Sequence, residues 1–335
     1  MSHPDSTARI RFSEWRATDH ALAQQLWGDK RVTRYISMPN VGYTQAMIDN
    51  RLALEITSQQ ADGVQYWPMY ALSGELIGVC GLQIRERQTY ELGYHLRPAY
   101  WGAGYATEAA RAVVAYARTK TDAVALVARH HPDNWPSKHI LCDKLGFEYS
   151  HHEVYPPTGL VTPSYVLPLT HPQPTARLHY GNWQAGQLAQ AHYLWGNRQV
   201  TAMISKAGFS QADIKARLAA ECASQQAHGV QYWPIYQTDG ALVGVCGLHA
   251  RKAGCYELGY HLLPQFWQQG YATEAARGVI RFAQQVLQAP ALIAGHNPEN
   301  LASKHVLEKV GFYYTHKVVY APTGKLSPQY RLDLG

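Results

Sequence analysis

The feature that most constrains this chain is that its second half repeats its first. LWGDKRVTRYIS from Leu26 returns as LWGNRQVTAMIS from Leu194, GVQYWP at Gly63 returns at Gly229, GVCGL at Gly78 at Gly244, and YELGYHL at Tyr90 at Tyr256. At an offset of 166, 32 of the 49 positions from 63 to 111 are identical, far beyond coincidence. The match opens with Arg9–Trp15 against Arg177–Trp183 and closes with VYPPTG against VYAPTG. In a chain of 335 residues this makes each copy about 160 residues. That is much longer than a solenoid repeat, so each copy is expected to close a core of its own. The expected division is 8–169, a linker at 170–175 whose sequence THPQPT carries two stiffening prolines, and 176–335.

Composition narrows the class. The chain is 46% hydrophobic and 16% charged, enough apolar material for two cores. Its formal charge of +6 is spread along the sequence, which is weak evidence for nucleic acid and suits an anionic small ligand equally well, so a nucleic-acid partner is not expected. The start, MSHPDSTARIRF, has no apolar signal core, and no run reaches the roughly 18 apolar residues of a membrane helix. The five cysteines include no C-x-x-C pair, and no trio of His, Cys, Asp or Glu has ligand spacing. A cytoplasmic protein with no metal and no membrane partner is expected.

Periodicity gives the element order within a copy. Residues 9–15 read as a strand with Ile10 and Phe12 inward. Helices are predicted at 19–28 and 44–61, the second with Met47, Ile48, Leu52 and Ile56 on one face. Tyr66–Leu72 and Leu76–Ile84 flank the hairpin signal Ser73-Gly74. Tyr90–Leu96 is a strand stopped by Pro98, followed by a helix from about Gly104 to Thr119. Val124–Ala128 reads as a buried strand, Ser137–Lys144 as a helix, and Glu148–Tyr155 and Ser164–Leu169 as closing strands. A meander followed by a helical crossover predicts an α/β (α+β layered) fold with a mixed, mostly antiparallel sheet flanked by helices, twice over. Cys80 and Cys246 read as small core residues, and Tyr66-Trp67-Pro68 as strand packing.

Two motifs carry chemistry. The first is Pro98, then Tyr100-Trp101-Gly102-Ala103-Gly104-Tyr105-Ala106-Thr107-Glu108-Ala109, repeated as Pro264, then Phe266-Trp267-Gln268-Gln269-Gly270-Tyr271-Ala272-Thr273-Glu274-Ala275. A strand turning sharply into a helix exposes unpaired N–H groups at the positive end of the helix dipole, a ready anion site. No Gly-Lys-Ser/Thr follows, and the three glycines of a dinucleotide fingerprint are absent. The second is Asn134-Trp135-Pro136-Ser137-Lys138-His139 with Lys144-Leu145-Gly146-Phe147, repeated as Asn300-Leu301-Ala302-Ser303-Lys304-His305 with Lys309-Val310-Gly311-Phe312. The stretch from Ser137 to Gly146 is one residue longer than its twin, with Cys142-Asp143 where Glu308 stands. One extra residue turns a helix by about 100° unless a bulge absorbs it.

These motifs resemble the GNAT superfamily of acyl-CoA-dependent N-acyltransferases, in its RimJ/RimL-like branch, and the resemblance spans both copies nearly end to end. It implies acetyl-CoA as cosubstrate. The pyrophosphate would sit on the amides of Trp101, Gly102, Ala103, Gly104, Tyr105 and Ala106, and of Trp267, Gln268, Gln269, Gly270, Tyr271 and Ala272. Pantetheine would run along His95, Leu96 and Arg97, and along His261, Leu262 and Leu263. Asn134 and Asn300 would touch that arm, or simply cap a helix, and Lys138 and Lys304 would serve phosphates. Glu91 and Glu257 fit the base that takes the amine proton, and Ser137 and Ser303 the acid, although a serine near a helix start is commonly a capping residue. Tyr149, Tyr155, Tyr314 and Tyr320 are further candidates for the acid.

The expected reaction is direct acetyl transfer to a primary amine, with a small molecule favoured over a peptide N-terminus. The chain would act as a monomeric internal pseudo-dimer. Two other readings compete: an acyl-CoA-binding sensor or scaffold with one or both copies non-catalytic, and, ranked lower, an aminoacyl-tRNA-dependent transferase.

Overall fold

Alternation and turn chemistry build the same layered unit twice. The structure, a computed structural model, describes residues 2–37, 42–86 and 88–334. The chain divides into a unit of residues Met1–Leu169 and one of Thr170–Gly335; Gly335, the expected end of the second copy, lies outside the described residues.

In the N-terminal unit Ile10 and Phe12 bury one face of β1 (Ile10–Phe12), a shorter strand than 9–15 suggests. Three helices follow: α1 (His20–Trp27), the single turn α2 (Lys30–Thr33) and α3 (Gln45–Asp62). Thr44 caps α3 by accepting from the Met47 amide, and Gly63 ends it in the left-handed region. The buried face of α3 is Ile48, Leu52 and Glu55. Met47, predicted to share that face, lies one position round the helix and is 41% exposed. The sheet continues through β2 (Tyr66–Ala71), β3 (Leu76–Glu86) and β4 (Thr89–Leu96). After α4 (Tyr105–Lys120) come β5 (Ala125–Arg129), α5 (Trp135–His139), β6 (Glu148–Tyr155) and β7 (Leu160–Pro168). The seven strands lie in the order β1-β2-β3-β4-β5-β7-β6, and every pair is antiparallel except β4–β5.

The C-terminal unit repeats this with β8 (Leu178–Tyr180), α6 (Leu188–Trp195), α7 (Arg198–Thr201), α8 (Gln211–His228), β9 (Tyr232–Gln237), β10 (Leu242–Ala250) and β11 (Tyr256–Leu262). It closes with α9 (Tyr271–Gln285), β12 (Ala291–Gly295), α10 (Leu301–Lys309), β13 (Tyr313–Tyr320) and β14 (Lys325–Asp333). Its order is β8-β9-β10-β11-β12-β14-β13, again with one parallel pair, β11–β12.

The cores match as well. A tryptophan pair, Trp15 with Trp27 and Trp183 with Trp195, sits at 5.4 Å in each helix-covered face. Cys80 and Cys246 are fully buried. Glu55 is buried beside Arg51, 2.6 Å away, and accepts the Tyr66 amide at 2.7 Å, tying α3 to β2. Glu221 does the same for Tyr232, but the His249 ring, at 3.2 Å, lies closer to it than Arg217, at 4.0 Å.

The extra residue of the first copy becomes a π-turn. The predicted helix Ser137–Lys144 is instead α5 followed by a wider turn over Ile140–Lys144, where the Leu145 amide reaches back five residues to the Ile140 carbonyl at 3.1 Å. Its counterpart α10 is continuous. The bulge keeps Leu141 and Phe147 as deeply buried as Leu307 and Phe312.

Candidate active site

The site begins where the sheet comes apart. The parallel pair β4–β5 holds only from Thr89↔Ala125 to Glu91↔Val127, while β4 runs on to Leu96. Beyond Glu91 the β5-facing edge of β4 has no strand partner among the described residues, so its amide groups face an opening. The same happens in the C-terminal unit after Glu257↔Ile293.

The turn closes one end of that opening. Pro98–Tyr100 forms a single 3-10 turn, Gly102 takes φ 72°, and Gly104, at φ 81°, caps α4. The amides of the first turn of α4 have no intrahelical acceptor and point outward at the dipole's positive end. A Cβ placed on Gly102 would meet nothing within 4 Å, so glycine serves the left-handed backbone rather than crowding. Gln268 holds the equivalent position at φ 59°, at a strain of about 1 kcal/mol. The Trp101 indole N–H donates to the Leu96 carbonyl at 2.7 Å, and Trp267 to Leu262 likewise, pinning turn to strand.

A second clamp comes from the residue just before β1. Arg9 donates to the Ala103 carbonyl at 2.9 Å, pairs with Glu108 at 2.6 Å and stacks on Tyr105. Arg177 repeats this with Gln269, Glu274 and Tyr271. Burial acts upward on the Glu108 carboxyl, but hydrogen bonds from Thr7 and Arg9 outweigh it and hold the group below its usual range. Glu108 is thus a fastener of the turn.

In the N-terminal unit the opening and the turn share one cavity of about 680 Å³. Among the expected residues it is lined by Glu91, His95, Leu96, Trp101, Gly102, Gly104, Tyr105, Ala106, Asn134 and Ser137. Arg97, Ala103 and Lys138 are not in its wall. The Arg97 guanidinium donates to the Leu76 carbonyl at 2.8 Å, and Lys138 lies over the Trp135 ring. In the other unit Leu263 is fully buried in the core, and its amide donates to the Val243 carbonyl at 2.9 Å. Lys304 pairs with Glu308 at 3.6 Å.

Glu91 sits in a charge network. Its Oε1 accepts from Arg129 Nε and Nη2 at 3.1 and 2.9 Å, and its Oε2 from Arg129 Nη2 at 2.9 Å. Arg85 adds a contact at 3.3 Å, and Glu153 backs both guanidiniums. Gly93 makes room beside it, since a Cβ there would lie 2.0 Å from the Tyr66 hydroxyl. Burial, with the Glu91 charge next to it, pushes the Tyr66 phenol well above its usual value. Glu257 has fewer partners: among the described residues Arg251 alone grips its Oε2, from Nε at 2.8 Å and from Nη2.

Ser137 and Asn134 are joined through local bonds. Asn134 caps α5, its Oδ1 accepting the Ser137 amide at 3.3 Å, and Asn300 does the same for Ser303 at 3.0 Å. The Ser137 hydroxyl lies 2.8 Å from that of Tyr94, and Ser303 lies 2.9 Å from Tyr260. Sequence reasoning missed Tyr94 and Tyr260, and Arg129 with them. Burial raises both phenols far above their usual value, so they are held protonated. The available signal for the tyrosines was the period-two pattern of YELGYHL, which puts Tyr94 on the face opposite Glu91. Of the other candidate acids, Tyr155 lies in the cavity wall under the Arg129 guanidinium, whereas Tyr149 is exposed.

An acyl-CoA fits these residues. The unpaired β4 edge matches the amides of a pantetheine arm, and the turn offers amides to a pyrophosphate. The wall contributes Arg31, Arg34 and Lys144, while its one carboxylate, Glu91, is already neutralised. Among the described residues no group of three or more His, Cys, Asp or Glu is placed to hold a metal ion. None of the described helices is long and apolar enough to cross a membrane.

Comparison with known proteins agrees with this architecture. The pattern described as "Acetyltransferase (GNAT) domain" matches residues 9–148 and 177–313. The uncharacterized N-acetyltransferase p20 of Bacillus licheniformis is 28% identical over 145 residues, 42% of this chain and 80% of that protein. The uncharacterized N-acetyltransferase YoaA of Bacillus subtilis is 32% identical over 91 residues, 26% of this chain and 51% of the relative. Among solved structures, a GNAT-family acetyltransferase from Bacillus anthracis aligns at 20% identity and TM-score 0.41, over 48% of this chain and 95% of the other. A spermidine N-acetyltransferase from Vibrio cholerae aligns at 13% identity and TM-score 0.41, over 48% and 97%. With the family pattern matched in both units, on a sheet that opens beside a helix-capping turn, the chain belongs to the GNAT acetyltransferases and is an acyltransferase.

Proposed function

We propose that this chain transfers the acetyl group of acetyl-CoA directly to a primary amine, with no covalent enzyme intermediate. The observation that carries the reading is that one cavity is lined by the β4 edge, by the turn, and by Glu91, Tyr94 and Ser137. Acetyl-CoA would supply an activated acyl thioester. The chain orients it along Leu92–Leu96 and the turn, with Asn134 and Asn300 beside the arm. Glu91 or Glu257 accepts the proton of the incoming ammonium. The Tyr94–Ser137 and Tyr260–Ser303 hydroxyl pairs return one to the departing sulfur. Holding the amine against the thioester supplies most of what an otherwise bimolecular step lacks.

A small amine is favoured over a polypeptide terminus because aromatic side chains crowd both carboxylates, Tyr66 and Tyr155 near Glu91 and Tyr232 and Tyr320 near Glu257. We further propose domains at 8–169 and 176–335 joined by 170–175. The five unpaired cysteines suit the reducing cytoplasm. Acting as a monomer, the chain would elute near 37.5 kDa, and a mass of twice that would count against it. The test of function is thiol release from acetyl-CoA with a panel of primary amines. Amine-dependent release, lost when Glu91→Gln and Glu257→Gln are combined, supports the reading. Release that survives the double substitution overturns the assignment of the base, and no release with any amine overturns the function.

A further inference from the structure

We propose that the two units are not equivalent: the C-terminal unit carries the transfer, while in the N-terminal unit Arg129 locks Glu91 and leaves a copy that binds acyl-CoA without turning it over. This rests on Glu91 and Glu257 being the groups that would accept the amine proton.

The copies diverge around this one carboxylate. A carboxylate has about four lone-pair directions. On Glu91 the Arg129 fork takes both oxygens, and Arg85 approaches the second at 3.3 Å. Arg129 is itself fixed, only 10% exposed, against Glu153 and over the Tyr155 ring at 4.9 Å. A proton could reach Glu91 only by displacing a buried, charge-assisted fork.

In the C-terminal unit the lock is missing. Gly295 stands where Arg129 does, Val318 replaces Glu153, and Gln329 replaces Ser164. A Cβ on Gly295 would lie 2.5 Å from Gln329 Nε2, so the glutamine fills the space the arginine occupies in the other copy. Arg251 grips Oε2 of Glu257, and no protein hydrogen bond to Oε1 is present among the described residues. The carboxylate is also more open, at 29% exposure against 12% for Glu91.

The same face also gains an imidazole. His249, in place of Gln83, lies directly across the ladder from Glu257. Its ring stacks 4.0 Å from Tyr232, its Nε2 lies 3.2 Å from Glu221, and its Nδ1 has no protein hydrogen bond among the described residues. The binding features survive in both copies: the turn, the indole tie, the Arg–Glu clamp and the Tyr–Ser pair. Ligand binding is therefore kept where proton transfer is blocked.

In the step assigned to the C-terminal unit, Glu257 Oε1 takes a proton from the ammonium, and the freed nitrogen lone pair forms the C–N bond as the C–S bond breaks. The sulfur leaves with the C–S bonding pair and takes a proton from the Tyr260–Ser303 pair, which is restored by the second N–H proton that the acylated nitrogen loses.

The experiment uses the full chain and an amine that supports thiol release. Glu257→Gln is expected to lower kcat by about 100-fold or more, with the acetyl-CoA KM within about twofold. A second variant, Gly295→Arg with Gln329→Ser, rebuilds the lock. It is expected to lower kcat at least about tenfold with the same KM and an unchanged melting profile. Retention of half or more of kcat by Glu257→Gln would overturn the inference while leaving the acetyltransferase reading intact. Absence of release by the unaltered chain would instead overturn the reading beneath it.

Discussion

Trp101 shows how much one side chain decides at the turn. Its indole N–H is the direct tie between the turn and the end of β4, and one net hydrogen bond is worth about 1 kcal/mol. Trp101→Phe keeps the ring and removes the donor, so calorimetry should show one acetyl-CoA site weakened about fivefold with little change in thermal midpoint. An unchanged affinity would mean that the turn holds its shape without the tie. His95 and His261 invite a different measurement. Burial, with Arg51 nearby, holds His95 down to about 3, and burial, with Arg217 nearby, holds His261 well below its usual value. Trp27 donates to His95 Nδ1, as suits a neutral ring. Between those values and the ordinary imidazole range, the unfolded chain binds protons that the folded chain refuses. Stability should therefore be complete above about pH 6.5 and fall as pH drops towards 3, by about 1.4 kcal/mol per pH unit for each imidazole inside the window. Urea midpoints taken from about pH 7 to about pH 5 check this, and a flat profile would contradict it.

At the scale of elements, the π-turn after α5 absorbs one inserted residue and leaves the register of the next segment unchanged. Leu141 and Phe147 stay buried like their twins. Replacing Cys142-Asp143 by a single glutamate, as in the second copy, should give a continuous helix and a thermal midpoint equal to or above the original. A loss of more than about 5 °C, roughly 1 kcal/mol or more, would mean the bulge has a stabilising role of its own. The sequence announced the insertion but could not choose between rotation and bulge, because that choice is made by the core holding both flanks. Strand and helix limits were legible where punctuation was strong, at Gly63, Ser73-Gly74, Pro98 and Gly104. They were less so at Met47, where two adjacent apolar residues competed for one face, and at 9–15, where pairing with β2 stops at Phe12. Arg129 was illegible for a different reason: its meeting with Glu91 depends on the register of the parallel pair β4–β5, which joins positions 38 apart in the chain.

For the molecule as a whole, duplication made the fold and the cofactor turn readable, because each motif was written twice. The acceptor end was not readable. Its walls come from separate segments, around Tyr35, Tyr66, Glu91, Arg129 and Tyr155, that only folding brings together. It is also where the copies diverge, through Gly295, Val318 and His249. On the proposed reading one acyl-CoA-binding unit occurs twice, each copy with its own turn and its own splayed strand pair. Isothermal titration of the intact chain with acetyl-CoA counts the sites. Two molecules bound per chain are expected; one or none would contradict the duplication of a working cofactor site.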